Sequence, residues 1–168
     1  YRVTVTPGDR ILDLPADTTT TTIDGLANGT SYSFEVTAQN PAGLSPAATV
    51  SATPATVPGT PTEIIVQPGD GGALIRWSPA ADNGAPITGH EITVQPGGQT
   101  ITVGPDNRAG VGSLTNGVAY TFTVRAINDL GPGPWSPATN EVIPATAPSK
   151  VQNVHATTGN GSATVAWD

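Results

Sequence analysis

Apolar and polar residues alternate along several short segments of the chain, and glycine, proline or an Asn-Gly pair separates one segment from the next. The clearest alternation places four side chains on one face: Tyr120, Phe122, Val124 and Ala126. Successive side chains of a strand point to opposite faces, so this pattern predicts strands that are buried on one side. No window has the sustained period of an amphipathic helix. The sequence therefore predicts an all-β fold.

The middle of the chain contains four further segments with a strand pattern: Thr62–Gln67, Ala73–Trp77, His90–Gln95 and Gln99–Val103. A loop with an Asn-Gly turn signal, residues 79–86, follows the second of them. Residues 104–113 are rich in glycine and predict only a poor strand, because glycine has no side chain to pack. Thr18–Thr22 is expected to be a threonine-rich strand rather than a glycosylated stalk.

The chain repeats itself with a period of about ninety residues. Pro58–Trp77 returns ninety residues later as Pro148–Trp167, and Leu26–Asn40 returns eighty-eight residues later as Leu114–Asn128. A fixed period of this kind indicates an array of modules rather than a single enzyme domain. We therefore expect a partial head segment (residues 1–54), a linker (55–57), a complete central module (58–144), a second linker (145–147) and a partial tail segment (148–168).

Two elements of the repeat are specific. A lone tryptophan ends the second strand, at Trp77 and Trp167, and the pattern Leu-x-Asn-Gly-x-x-Tyr precedes an alternating strand at Leu26–Tyr32 and Leu114–Tyr120. With Ala-x-Asn after that strand and Trp135-Ser136-Pro137 beyond it, the whole chain resembles tandem fibronectin type III domains of the bacterial type. The resemblance implies immunoglobulin-like β-sandwiches, one complete module being flanked by two partial ones.

In that family the Leu-to-Tyr element forms a tyrosine corner, in which the tyrosine hydroxyl bonds to backbone a few residues upstream. The resemblance implies a structural core role for six residues: Leu26, Tyr32, Trp77, Leu114, Tyr120 and Trp167. The chain departs from the family at His90, which stands where tyrosine is common. Between Pro54 and Pro58, and again between Pro144 and Pro148, three residues form a segment that favours a semi-rigid polyproline II spacer. The modules are therefore expected to form a rod.

The composition narrows the function classes. The chain has a net charge of −7, and its five arginines and one lysine are scattered, which argues against nucleic acid as a partner. No apolar run is long enough to insert into a membrane. Cysteine is absent, so disulfides and thiolate metal sites are excluded. The abundance of glycine and proline beside a single lysine is typical of a secreted bacterial protein.

The sequence contains no catalytic motif, so we expect neither enzymatic activity nor a cofactor. His90 and His155, the only histidines, lie in predicted strands and have no metal-ligand spacing to carboxylates. The pairs within Asp82-Asn83-Gly84 and Asp106-Asn107 are better explained by turn formation than by calcium binding. No metal site is therefore predicted.

One loop is a candidate for recognition, at Leu130, Pro132, Pro134 and Trp135. Its tryptophan can stack on a sugar or a protein partner, but the same ring can fold back onto its own module or onto the neighbouring one. The integrin tripeptide Arg-Gly-Asp is absent.

These observations favour a non-catalytic spacer and interaction scaffold within a secreted, cell-surface or virion protein. Three alternatives stay open: a carbohydrate- or protein-binding adhesion module that uses the Trp135 loop, an accessory region of a secreted polysaccharide-degrading enzyme, and a phage tail or fibre decoration. The expected partners are neighbouring modules, and protein or polysaccharide. The two end segments are expected either to be an excerpt of a longer array or to complete each other head to tail in a polymer.

Overall fold

The computed structural model describes residues 1–168, which form fifteen strands and no helix. No segment therefore forms a helix that is long and apolar enough to cross a membrane. The head segment contains one antiparallel sheet in the order β2-β1-β3-β6 and a separate small hairpin, β4-β5. Its strands are β1 (Arg2–Thr6), β2 (Arg10–Asp13), β3 (Tyr32–Thr37), β4 (Gln39–Asn40), β5 (Gly43–Leu44) and β6 (Ala48–Ala52).

The central module contains two antiparallel sheets, with orders β11-β8-β7 and β10-β9-β12-β13. Beyond β13 the chain continues beside β12, because Ser136, Thr139 and Val142 donate backbone N–H groups to carbonyls of that strand or its start. The two sheets make the β-sandwich that the resemblance implies. Their strands are β7 (Thr62–Gly69), β8 (Gly72–Ser78), β9 (Ile87–Gln95), β10 (Gln99–Val103), β11 (Arg108–Val111), β12 (Thr121–Asn128) and β13 (Gly131–Pro132).

The tail segment is a single hairpin of β14 (His155–Gly159) and β15 (Ser162–Ala166). Ninety residues earlier, β7 and β8 pair in the same antiparallel way. Glu63 and Asn153 occupy equivalent positions at the start of the two hairpins, and both have a φ of 51°. In the central module this residue lies in a register shift between Thr62 and Ile65. The repeat seen in the sequence therefore extends to an irregularity of the backbone.

The core of the central module lies between its two sheets, where the inward face of each strand meets the other sheet. Eleven buried residues form it, and Ile75, Ile92, Phe122 and Val124 are fully shielded from solvent. Burial of these side chains is the main driving force for folding of the module. The head segment has a smaller core of three buried residues, Val3, Val5 and Tyr32.

The expectation for residues 104–113 is wrong in part, because Arg108–Val111 is a regular strand that pairs with β8. Its glycine is harmless, since Gly110 faces solvent while Ala109 and Val111 face the core. The expectation for Thr18–Thr22 is also wrong, because these threonines form no strand. Residues 20–23 lie eighty-eight positions before β11, and the head segment has no counterpart of β8 with which they could form a ladder.

Candidate functional site

Both Leu-to-Tyr elements form the same hydrogen bond. The hydroxyl oxygen of Tyr32 accepts from the backbone N–H of Ala27 at 3.0 Å, and that of Tyr120 accepts from Thr115 at 3.1 Å. Each tyrosine is 9% exposed. In each unit the bond ties the tyrosine at the strand's start to the turn before it.

The two leucines of these elements differ in burial. Leu114 is 8% exposed and belongs to the central core, whereas Leu26 is only partly buried against the small core of the head segment. The central core lies between two sheets, whereas the head segment has only its four-stranded sheet and the small β4-β5 hairpin.

Trp77 and His90 form a buried aromatic pair in the central module. Trp77 is 5% exposed and His90 is fully buried, with their ring centroids 4.9 Å apart in an edge-to-face arrangement. His90 Nδ1 lies 3.2 Å from the carbonyl oxygen of Gly104, while His90 Nε2 and Trp77 Nε1 have no hydrogen-bond partner. Burial lowers the pKa of His90, so the ring is held neutral. It is out of reach of any substrate in solution.

The expectation of a core position for Trp167 is wrong, because this residue is 63% exposed. Its counterpart Trp77 is covered by the opposite sheet, whereas no second sheet faces the tail hairpin. The head segment has the complementary feature. An open groove of about 730 Å³ runs along its sheet, lined by apolar residues that include Phe34 and by the threonines of 18–22.

The four residues of the candidate recognition loop have different environments. Leu130 is 55% exposed, and both Pro132 and Pro134 are exposed. Trp135 is half-buried, because the guanidinium carbon of Arg125 lies 4.3 Å from the centre of its ring. Arg125 is held by Glu91, whose carboxylate accepts from Nε at 2.7 Å. One face of the indole therefore packs on its own module, and a cation–π contact stabilises it there.

The sequence reasoning missed a polar cluster at the end of the central module. Asn128 is 3% exposed and donates from Nδ2 to the carbonyl of Thr56 in the linker at 2.8 Å. Asn83 donates from Nδ2 to the carbonyl of Val57 at 2.9 Å. The sequence signal for this cluster is the repeated Ala-x-Asn motif. Its asparagine occupies a position of the alternating pattern where an apolar residue is expected.

The carboxylates of the chain are dispersed. No group of three or more His, Asp or Glu side chains is placed to hold a metal ion. The Asp82 carboxylate accepts from the backbone N–H of Gly84 at 3.1 Å, which is the turn chemistry predicted for this triplet.

The chain matches the model of one protein family, the fibronectin type III domain, over residues 1–53 and 59–142. Human neural cell adhesion molecule L1 is 28% identical over 164 residues, which cover 92% of this chain and 13% of that protein. Endoglucanase B of Cellulomonas fimi is 31% identical over 154 residues, which cover 82% of this chain and 14% of the enzyme. The curated relatives are thus far longer than the stretch that they share with this chain.

Among solved structures, chicken CNTN1 FN1-FN3 domains superpose with a TM-score of 0.52 at 22% sequence identity. The match covers 82% of this chain and 52% of that structure. At this identity the likeness concerns the fold alone.

Proposed function

The chain belongs to the fibronectin type III family, and on this premise we propose that it is a non-catalytic spacer and interaction scaffold in a larger secreted, cell-surface or virion protein. Its units are the head segment, the central module and the tail segment, with boundaries at the two proline-flanked linkers. The observation that carries the proposal is the first linker, which hydrogen-bonds to the central module through Asn83 and Asn128. Units joined in this way keep a set distance, which is the task of a spacer.

Small-angle X-ray scattering of the 168-residue chain tests the proposal. A compact domain of this length has a radius of gyration of about 15 Å. Modules placed end to end add about 30 Å per strand length of eight or nine residues, so the spacer predicts a radius of gyration well above that of a compact domain. A radius of gyration of about 15 Å would contradict an extended array.

A second candidate function is that of an accessory region in a polysaccharide-degrading enzyme. The similarity to endoglucanase B over 82% of the chain supports it, as does the bacterial source of that relative. The similarity to a neural cell adhesion molecule supports the adhesion alternative instead. In both cases the recognition surface would be the loop with Leu130, Pro132 and Pro134 exposed beside Trp135.

Retention on insoluble cellulose and on other polysaccharides separates recognition from spacing. Recognition by the loop predicts that the chain is retained and that Trp135→Ala abolishes retention. Trp167→Ala is the matched control, because Trp167 is an exposed tryptophan outside the loop. If the parent chain passes through every polysaccharide, or if both variants are retained like the parent, carbohydrate recognition by this loop is refuted.

Self-association of the isolated chain is a further proposal about partners. The tail hairpin exposes Val165 and Trp167, and the groove of the head segment is the surface that lacks a covering hairpin. In the central module the equivalent Trp77 packs on His90, whose counterpart in the repeat is the exposed Tyr1. A second copy of the chain would supply the missing contact. Sedimentation that is independent of concentration would rule this polymer out.

A further inference from the structure

We infer that the central module has a docking surface for its preceding neighbour, formed by Asn83, Gly84 and Asn128, which fixes the angle between the two units. This surface adjoins the Trp135 loop, because Asn128 Oδ1 accepts from the backbone N–H of Leu130 at 3.0 Å. The inference rests on the proposed spacer function and specifies how a module of the array recognises its neighbour. The partner is an Asn-Gly turn together with the linker that leaves the partner's last strand. In this chain both come from the head segment.

The first observation is a contact between two glycines across the joint. Gly84 lies in the loop after β8 and Gly29 in the turn before β3, and both have positive φ, of 91° and 79°. A Cβ on Gly84 would lie 2.6 Å from the carbonyl oxygen of Pro54 and 2.8 Å from the backbone nitrogen of Gly29. Real Cβ atoms do not approach backbone so closely. The two units meet at a distance that only glycine permits.

The second observation is that the central module holds the linker at successive peptide groups. The backbone N–H of Thr56 donates to the carbonyl of Asn83 at 3.2 Å, and the carbonyl of Thr56 accepts from Asn128 Nδ2. The next carbonyl, that of Val57, accepts from Asn83 Nδ2. Because Asn128 is buried, bending the linker away would break this bond and leave Nδ2 with only its longer bond, of 3.4 Å, to the carbonyl of Ala85, which is unfavourable.

The third observation is that both ends of the linker are also anchored. On the head side, the backbone N–H of Gly29 donates to the carbonyl of Pro54 at 2.9 Å. On the module side, Pro58 is fully buried, and a Cβ on Gly133 would lie 2.4 Å from its carbonyl oxygen. A linker anchored at both ends and bonded between them cannot swivel, whereas relative motion is the usual expectation for domains with small contacts.

The chain contains no cysteine, so two introduced cysteines can be spin-labelled uniquely. We place them at the exposed positions Ser51 and Thr102, one on each side of the joint, and measure the distance distribution by double electron–electron resonance. The parent chain should give one narrow peak. Gly84→Ala should shift or broaden the peak, because its methyl group would lie 2.6 Å from the carbonyl oxygen of Pro54 and would keep the two units from closing on each other.

The matched control is Gly97→Ala. Gly97 also belongs to the central module and has positive φ, of 117°, but a Cβ there meets nothing within 4 Å. This variant carries similar backbone strain and should keep the parent distribution. A broad distribution in the parent, or a Gly84→Ala distribution identical to the parent's, would overturn the inference.

Insertion of two glycines after Ala55 keeps the test decisive if Gly84→Ala does not fold. Ala55 is exposed and lies outside both units, so the insertion changes only the register of the linker. It should broaden the distance peak, and an unchanged peak would refute the docking surface. If the joint proves mobile while scattering still gives an extended chain, the spacer function stands and the fixed angle fails. If scattering gives a compact chain, the spacer function itself fails.

Discussion

Replacement of Tyr120 by phenylalanine removes one hydroxyl and leaves the ring in place. The lost interaction is the hydrogen bond from the backbone N–H of Thr115, 3.1 Å long and partly buried. Leaving a buried N–H without a partner costs about 1–3 kcal/mol. Because Thr115 is itself exposed, water can reach the freed N–H, and we expect the lower end, about 1 kcal/mol. For a module of this size that corresponds to a fall in Tm of about 4–8 °C.

The assay is thermal unfolding followed through the NMR methyl signals of Ile75 and Ile92, which are fully buried in the central core and report on that module alone. Tyr32→Phe serves as the matched control, since it removes the equivalent bond in the head segment. It should leave the transition of the central module unchanged. If Tyr120→Phe has the same Tm as the parent, the hydroxyl does not stabilise the module and the role assigned to the tyrosine corner is refuted.

Three further predictions concern the central module. Burial lowers the pKa of His90, so the unfolded state binds the proton more readily; the free energy of unfolding should be steady above the ordinary pKa of about 6.5 and fall below it. Urea titrations at neutral and acidic pH check this, and an equal fall in a His90→Phe variant would contradict it. Trp77→Ala should lower the free energy of unfolding by about 3–5 kcal/mol, and Trp167→Ala should lower it by less than about 0.5 kcal/mol. The same titrations measure both variants, and equal effects would refute the difference in burial. Gly133→Ala puts a methyl group 2.4 Å from a backbone oxygen and should lower the free energy of unfolding of the central module by about 1–3 kcal/mol. In Gly110→Ala the added methyl group meets nothing within 4 Å, so this variant should be as stable as the parent. If Gly133→Ala is as stable as the parent, the backbone at Pro58 can shift to make room for the methyl group, and the anchoring of the linker at this end is refuted.

The sequence predicts the all-β class well because alternation is a local signal, whereas the β-sandwich follows from the resemblance to fibronectin type III domains. Alternation along β12 places the same four residues inside that the structure buries, from Tyr120 to Ala126. The structure also contains the predicted strand Gln99–Val103 with the same bounds. A period of two is a property of the strand itself, so neighbours are not needed to read it.

The errors arise where the outcome depends on a distant partner. Thr18–Thr22 has the β-branched composition of a strand, but a strand exists only when another strand completes its ladder. Trp167 carries the same local pattern as Trp77, yet one is 63% exposed and the other 5%. The pattern of a strand tells which face is apolar, and only the second sheet decides whether that face is buried.

The joint was missed for a related reason. The Asn-Gly pair at Asn83 predicts a turn, and the positive φ of 52° at this residue agrees with that prediction. Its side chain nevertheless bonds to the linker twenty-six residues earlier in the chain. A residue that satisfies one local rule gives no sign of a second role at long range.

The bonds between the linker and the central module join neutral groups, asparagine amides and backbone carbonyls. The two ion pairs of the chain, Arg2–Asp13 and Arg125–Glu91, each lie inside one unit. Dissolved salt weakens the attraction between charges, with a screening length of about 10 Å at 0.1 M, but it has little effect on hydrogen bonds between neutral amides and carbonyls. The spacing between the two units should therefore be the same at low and at high salt concentration, which suits a spacer that works in surroundings of varying ionic strength.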